Sequence, residues 1–418
     1  MWPWIWAALC VGLALLLQTA LHEQHPHPGQ TMCDARSVGL VVVGDGSLSQ
    51  QLLSALEALN KTTRAVDFCG VSFHVAAVGS NRGFIKHTRG LSWEHIHAIK
   101  NHTIGGNVLS AWEGLDDDED LTHKETLGEV VHEIVGHYDK CIIVDCSTDA
   151  HIEDLVVAKK YGMGLVLANI HILAGPWKQF HRLVYDEKRD RPSRLVAIDA
   201  AIGKGLPVLS TLHTLHAAGD FVTQIKSTFS DAIGHVLAEM DKGASWSDSV
   251  TTVYENGLTE DDPRDDLTGL VLARKAVVVA RQLGLSVELS SVEIESLIPS
   301  KMKNGTLHEF FDHLDYLNQA YQTKWEGAKH RNEKLVYVAG IIVDRGNAVK
   351  VRIQLESINS THALHTANYG DSIAQIRSNH FPHGLILQIG RPDATGTVSA
   401  ILADIAKLSC VLFTQCDL

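Results

Sequence analysis

Two glycines separated by one residue, directly after an apolar run, are the first feature of this sequence with chemical potential. Residues 37–43 read SVGLVVV, then Gly44-Asp45-Gly46-Ser47-Leu48-Ser49 follows, and residues 50–59 (QQLLSALEAL) carry apolar side chains at helical spacing. Strand, glycine turn and helix in that order form the context of a dinucleotide fingerprint. Gly44 allows the tight turn and Gly46 the approach of a pyrophosphate to the helix N-terminus, with Ser47 and Leu48 opening the helix. Ser49 holds the third position, where glycine eases packing. The next expected strand, 71–78, runs into Gly79-Ser80-Asn81-Arg82 with no acid to hold a ribose 2′-hydroxyl. Arg82 would accommodate a 2′-phosphate, so NADP is the expected cofactor and NAD the alternative.

Other constellations fail on geometry or charge. His132 and His137 in HEIVGH stand five apart, about 140° round a helix, where a zinc-protease helix needs four. Residues 116–120 (DDDED) lack the spacing of a calcium loop and read as a solvated segment. Seven cysteines in 418 residues are too sparse for a disulfide scaffold; Cys141 and Cys146 read as buried thiols at the ends of one strand. Thirty-six basic residues against 49 acidic ones give −13, and with no basic stripe a nucleic-acid partner is not expected.

The elements that must position the turn follow from periodicity. Short apolar runs at 141–144 and 164–168 flank a helical segment at 152–160, the alternation of a doubly wound parallel sheet. Beyond about residue 176, long amphipathic stretches (212–229, 232–242, 266–283) precede β-rich segments (335–343, 349–355, 384–389), and 397–408 reads as a helix. Residues 1–21 carry no charge and suit a signal peptide or a signal anchor, with 22–36 a linker. N-x-[ST] sequons begin at Asn60, Asn101, Asn304 and Asn359. The expected location is the secretory pathway, membrane-anchored or lumenal, or the cytoplasm if the first segment is a start-codon artefact.

Residues 255–275 (ENGLTEDDPRDDLTGLVLARK) closely resemble the signature of homoserine dehydrogenases: Gly, a spacer, Asp-Pro-x-x-Asp-Leu-x-Gly-x-Asp, and Lys four residues on. The resemblance extends over nearly all of 37–418. Asp145-Cys146-Ser147-Thr148 is similar to that family's D-C-T-S turn, Ala168-Asn169 to its A-N-K motif, and 199–207 (DAAIGKGLP) to its E-A-x-V-G-x-G-L-P loop. It implies an NAD(P)-dependent oxidoreductase interconverting aspartate 4-semialdehyde and homoserine, acting as a homodimer on a small-molecule substrate. Glu260 and Asp266 would face the substrate and Lys275 the reacting oxygen. Ser147, Thr148 and Asn169 would line the cofactor, and Asp199, Ile202 and Lys204 the sodium-ion loop. The implied fold is α/β: a Rossmann-type dinucleotide-binding domain at 37–175, a second α+β substrate and dimerisation domain at 176–390, and a C-terminal segment, 391–418, returning to the first.

The departures are specific. The family aspartate four residues before the lysine is Val271, which removes a same-face carboxylate from Lys275. The A-N-K lysine is Ile170, with His171 beside it as a substitute proton donor; Gly-Thr at the helix entry reads Asp231-Ala232; the loop glutamate is Asp199; Lys204 stands where a small residue is usual. Three readings compete: an active homoserine dehydrogenase, an oxidoreductase turned to another aldehyde or keto substrate, and a non-catalytic NADP-binding relative.

Overall fold

The computed structural model describes residues 36–61, 71–104, 107–112, 114, 118–344, 346, 348–391 and 393–414; the N-terminal segment and its linker lie outside them. The apolar run after residue 36 forms β1 (Arg36–Val43), and its side chains enter two different cores: Val38, Leu40 and Val42 pack on one face of the sheet, Val41 and Val43 on the other, all with no exposure. A strand buried on both faces has no need of polar alternation, which is why this one reads as a continuous run.

The first sheet also contains β2 (Val71–Ser80), β3 (Gly83–His87), β4 (Leu121–Lys124), β5 (Lys140–Asp145), β6 (Gly164–Leu167) and β9 (Val196–Ala197). A two-stranded ribbon, β7 (Tyr185–Asp186) and β8 (Arg191–Pro192), precedes β9. The strand order is β4-β3-β2-β1-β5-β6-β9. Pairs β1/β5, β5/β6 and β6/β9 are parallel, while β2/β3 and β3/β4 are antiparallel. The order reverses between β1 and β5, so the ends of these two strands form the crevice where open α/β sheets bind ligands. The helix Ile152–Lys160 forms where the sequence places it, with Glu153 and Asp154 in its first turn and Lys159 and Lys160 in its last, each sign opposing the helix dipole.

The second sheet has the order β11-β13-β12-β10-β14-β15, from β10 (Val222–Ser227), β11 (Glu293–Ile294), β12 (Glu333–Val343), β13 (Val349–Asn359), β14 (Ser372–Ser378) and β15 (Leu385–Ile389). All its pairings are antiparallel except β11/β13. Here the sequence reading needs correction. The stretch 212–229 is not one helix: the helix Val208–Ala217 stops before Gly219, whose φ of +72° ends it, and the chain turns into β10, the strand at the centre of the sheet. The expected division at 175/176 also fails to separate the sheets, since β9 completes the first one twenty residues later and 37–418 cluster as one compact unit.

The helix Ala394–Thr414 is apolar and long enough to cross a membrane by length and composition alone. Its Ile401, Ile405, Leu408 and Leu412 instead pack with Leu40, Val42 and Leu52 against the first sheet. Between the sheets the helix Leu270–Gln282 is fastened by Arg281, which is fully buried. Its guanidinium donates to Leu173 O at 2.7 Å and to Val287 O at 3.0 and 2.8 Å, with the Phe180 ring 5.0 Å away. Satisfying carbonyls from both sides of the junction, this buried charge fixes the helix that carries Lys275.

Candidate active site

The glycine turn is shaped by its neighbour across the crevice. Gly44 has a φ of +122°, and a Cβ added there would lie 3.0 Å from the Cys146 backbone, so the turns after β1 and β5 abut. Cys146 N donates to Val43 O at 2.8 Å and Gly44 N to Gly79 O at 2.7 Å, tying the ends of β5, β1 and β2 together. Ser49, 1% exposed, donates from Oγ to Gly46 O at 2.8 Å and so uses its hydroxyl within the turn. A Cβ on Gly46 would meet nothing within 4 Å, so the turn opens onto free space at the start of the helix Ser47–Lys61. These residues fit a dinucleotide: Gly44, Gly46, Ser47 and Leu48 form a cradle for pyrophosphate, with Ser147 and the exposed Thr148 on the facing turn.

Asn169 has a different place from the one its motif suggests. It is 2% exposed and fully engaged: Nδ2 donates to Asp145 Oδ2 at 3.2 Å and to Asp149 O at 2.8 Å, while Oδ1 accepts from the amides of His171 and Ile172. It therefore positions the β5 and β6 turns. Asp145, unexposed, also accepts from Ser147 N and Oγ at 3.0 and 2.7 Å; burial pushes its carboxyl above the usual range against those donors. Arg82 is not free to await a phosphate, since Asp45 Oδ2 accepts from its Nε at 2.9 Å and its Nη2 at 2.5 Å.

Across the crevice, Lys275 Nζ donates to Phe229 O at 2.7 Å, and Asp231, two residues further along that segment, pairs with Lys204 at 2.8 Å. Lys204 and Asp231 are both departures from the resembled family, and each supplies the other's counter-charge. Lys204 is held at φ +49° between Gly203 and Gly205, a left-handed conformation that glycine adopts at less cost. Asp266, 6% exposed, accepts from Glu260 N at 2.9 Å. Burial pushes its carboxyl up to about 6, against that amide and the Lys275 charge and aided by the charges of Glu260 and Asp231. Glu260, Asp266, Lys275 and Asp231 thus belong to one electrostatic cluster. His171 borders it: desolvation first, then the Arg274 charge, lower its pKa, while Glu260 and Asp265 oppose them. Val271 is buried in the helix's core face, and Ile170 is half-buried.

The loop expected to hold sodium does not fit that ion. Asp199 has Lys407 Nζ 3.8 Å away, Lys204 brings its own ammonium, and the Lys204 carbonyl presses on Gly396, where a Cβ would lie 2.2 Å from it. Ile202 is buried at 1% exposure. The acidic segment near 118 behaves as a charge network. His87 Nδ1 accepts from Arg89 N at 3.0 Å, which leaves Nε2 to face Asp118 at 3.2 Å as a donor, and Arg89 caps Asp120 at 2.6 Å. His87, Asp118 and Asp120 converge, but the imidazole nitrogen a metal would need already carries the proton.

A glycine turn at the point where a parallel sheet reverses its order, facing a charged cluster on a second sheet, defines a Rossmann-type dinucleotide-binding fold with a separate substrate side. A family model, homoserine dehydrogenase, matches residues 207–406. The bifunctional aspartokinase/homoserine dehydrogenase 2 of Escherichia coli (strain K12) is 26% identical over 407 residues, covering 96% of this chain and 47% of that protein. The chain thus spans about half the length of that relative. Among solved structures, a protein of unknown function from Candida auris matches with a TM-score of 0.70 and 22% identity, covering 89% of this chain and 98% of that one. A hyperthermophilic archaeal homoserine dehydrogenase in complex with NADPH matches with a TM-score of 0.62 and 18% identity, covering 90% and 98%. The chain belongs to the homoserine dehydrogenase family, as a divergent member.

Proposed function

We propose that this chain is an NAD(P)-dependent oxidoreductase that reduces aspartate 4-semialdehyde to homoserine or catalyses the reverse. The observation that carries the reading is the convergence of Glu260, Asp266 and Lys275, which the family signature aligns, into one charged cluster beside the segment that ends at Asp231. The cofactor, when bound, supplies or accepts the hydride. Lys275 is the ammonium that gives a proton to the carbonyl oxygen, released from Phe229 O as the substrate enters. Glu260 and Asp266 are the carboxylates that hold the substrate's amino group. With a pKa of about 6, Asp266 is mostly ionised at neutral pH and serves as that anchor there. His171, its pKa below that of an ordinary imidazole, is mostly neutral at pH 7 and ranks behind Lys275 as a proton donor.

The Lys204–Asp231 pair favours a second reading, an enzyme of this family acting on a different aldehyde or keto substrate, because it adds two charges beside the cluster. NADPH and NADH oxidation by the purified protein, tested against aspartate semialdehyde and a panel of aldehydes, separates the two. Gly46→Val is the control: a branched side chain in the open cradle should abolish activity with every substrate. Turnover of another aldehyde without the semialdehyde would transfer the assignment to the second reading, and no turnover at all would leave a non-catalytic relative.

A homodimer is proposed through the second sheet, supported by Ile342 and Ile386, both exposed, on the face that also carries Val336, Val338 and Ile373. We also propose entry into the secretory pathway. In support, the asparagines of all four sequons are exposed, and Cys410 is disulfide-bonded, a state that oxidising compartments sustain. A membrane anchor at residues 1–21 falls outside the described residues and stays a proposal. Glycosidase treatment of the protein from secretory cells should increase its mobility on a gel; an unchanged mobility with recovery in the cytosolic fraction would defeat this placement.

A further inference from the structure

The carboxylate of Asp45 belongs by sequence to the glycine turn, yet it lies at the end of another strand. Its Oδ2 accepts from Ser80 Oγ at 2.7 Å, and Ser80 is the last residue of β2 and 2% exposed. The same oxygen accepts both donors of Arg82, two residues beyond, while Arg82 N donates to Ser80 Oγ at 3.2 Å. The carboxyl end of the second strand is where dinucleotide-binding folds carry the acid that holds the ribose 2′-hydroxyl. No acid occurs there in the sequence of this chain; Gly79-Ser80-Asn81-Arg82 offers none.

We propose that Asp45 supplies that missing acid from the neighbouring turn and discriminates between cofactors. It accepts the adenosine ribose 2′-hydroxyl of NAD(H) and opposes the 2′-phosphate of NADP(H), narrowing the preference that Arg82 alone would confer. The proposal rests on the nucleotide binding proposed above.

The geometry supports it in three ways. All the side-chain donors converge on Oδ2, and no other residue among the described ones donates to Oδ1, so one carboxylate oxygen remains for a hydroxyl. Arg82 has its charge matched by Asp45 before any phosphate arrives. A phosphomonoester of about −1.5 to −2 that reaches Arg82 must then share it with a carboxylate on the same guanidinium. Burial pushes the Asp45 carboxyl upward, but the hydrogen bonds from Ser80 and Arg82 and the Arg82 charge outweigh it, so the group is ionised across the neutral range and gives no relief by taking a proton.

The test is titration of the full chain with NADH and with NADPH, following nucleotide fluorescence, for the wild type and Asp45→Asn. Asparagine keeps the size and one acceptor oxygen while removing the charge. A like charge at contact range in a partly exposed site is worth about tenfold or more in affinity, so Asp45→Asn should tighten NADPH by that factor. NADH should be unchanged or weaker. If Asp45→Asn does not fold, Asp45→Ser reports the same ratio. An unchanged NADPH-to-NADH ratio, or equal weakening of both, would overturn the proposal and leave Asp45 a purely structural brace. Binding of neither nucleotide by the wild type would overturn the nucleotide reading itself, and this inference with it.

Discussion

Lys275→Met should lower the rate of nucleotide-dependent aldehyde reduction by about 10²–10⁴-fold, the usual contribution of a positioned general acid, with nucleotide affinity close to that of the wild type. Methionine matches the length of the lysine stem, so the part-buried helix face stays filled. The lost hydrogen bond to Phe229 O costs on the order of 1 kcal/mol, too little to unfold a chain with this much core. The nucleotide turns after β1 and β5 do not include Lys275, which is why binding should survive. Steady-state rates and a parallel fluorescence titration check both halves. If the rate holds within about twofold, the proton comes from elsewhere; His171→Phe should then be the variant that loses it.

Asp404 should contribute stability that is lost as pH rises from about 4 to about 7, and Asp404→Asn should remove that contribution. Asp404 is 2% exposed on the C-terminal helix. Burial first and then the Asp199 charge push its carboxyl up to about 7, against Lys407 and the amides of Ala200 and Asp199. An acid whose folded pKa lies above its unfolded value of 3.8 keeps a proton in the native state that the unfolded chain releases, so stability is highest below that value and is lost as pH rises to the folded pKa. At 1.36 kcal/mol per unit, the effect is on the order of 4 kcal/mol, and Asp266, pushed up to about 6, adds to it in the same direction. Urea unfolding at pH 5 and pH 8 for both proteins measures it. Equal pH dependence in the two would show that Asp404 ionises in the native state as readily as in the unfolded one.

What the sequence revealed followed the range of the interactions. The turn at Gly44 to Ser49, the helix Ile152–Lys160 and the doubly buried β1 are set by residues within a few positions of one another, and local pattern was enough. The helix at 397–408 was found but extends over Ala394–Thr414: its first turn is set by Asp393, whose Oδ1 accepts from the amides of Thr395 and Gly396 at 2.9 and 3.4 Å. β10 was concealed inside an amphipathic stretch, since its pattern V-T-Q-I-K-S makes sense only against β12 and β14, more than a hundred residues away. Lys275, Asp266 and Glu260 came from one contiguous signature. The pairs Lys204–Asp231 and Asp45–Arg82 did not, being 27 and 37 residues apart. Each left one trace: a lysine between two glycines, and an acid inside a turn that otherwise receives anions.

The return of the C-terminal helix to the first sheet has a consequence for how the chain acquires its fold during synthesis. Leu40, Val42 and Leu52 share a core with Ile401, Ile405 and Leu408. A ribosome making this protein releases the first sheet's strands long before the helix that covers their apolar face. The nascent nucleotide side must wait, with that surface open to water, while nearly two hundred residues of the second sheet are made. Native contacts between such distant segments close slowly, and the exposed interval is when association with other chains competes. The last helix described is therefore the latch of the fold: translation must pass it before the strands of the first sheet are protected.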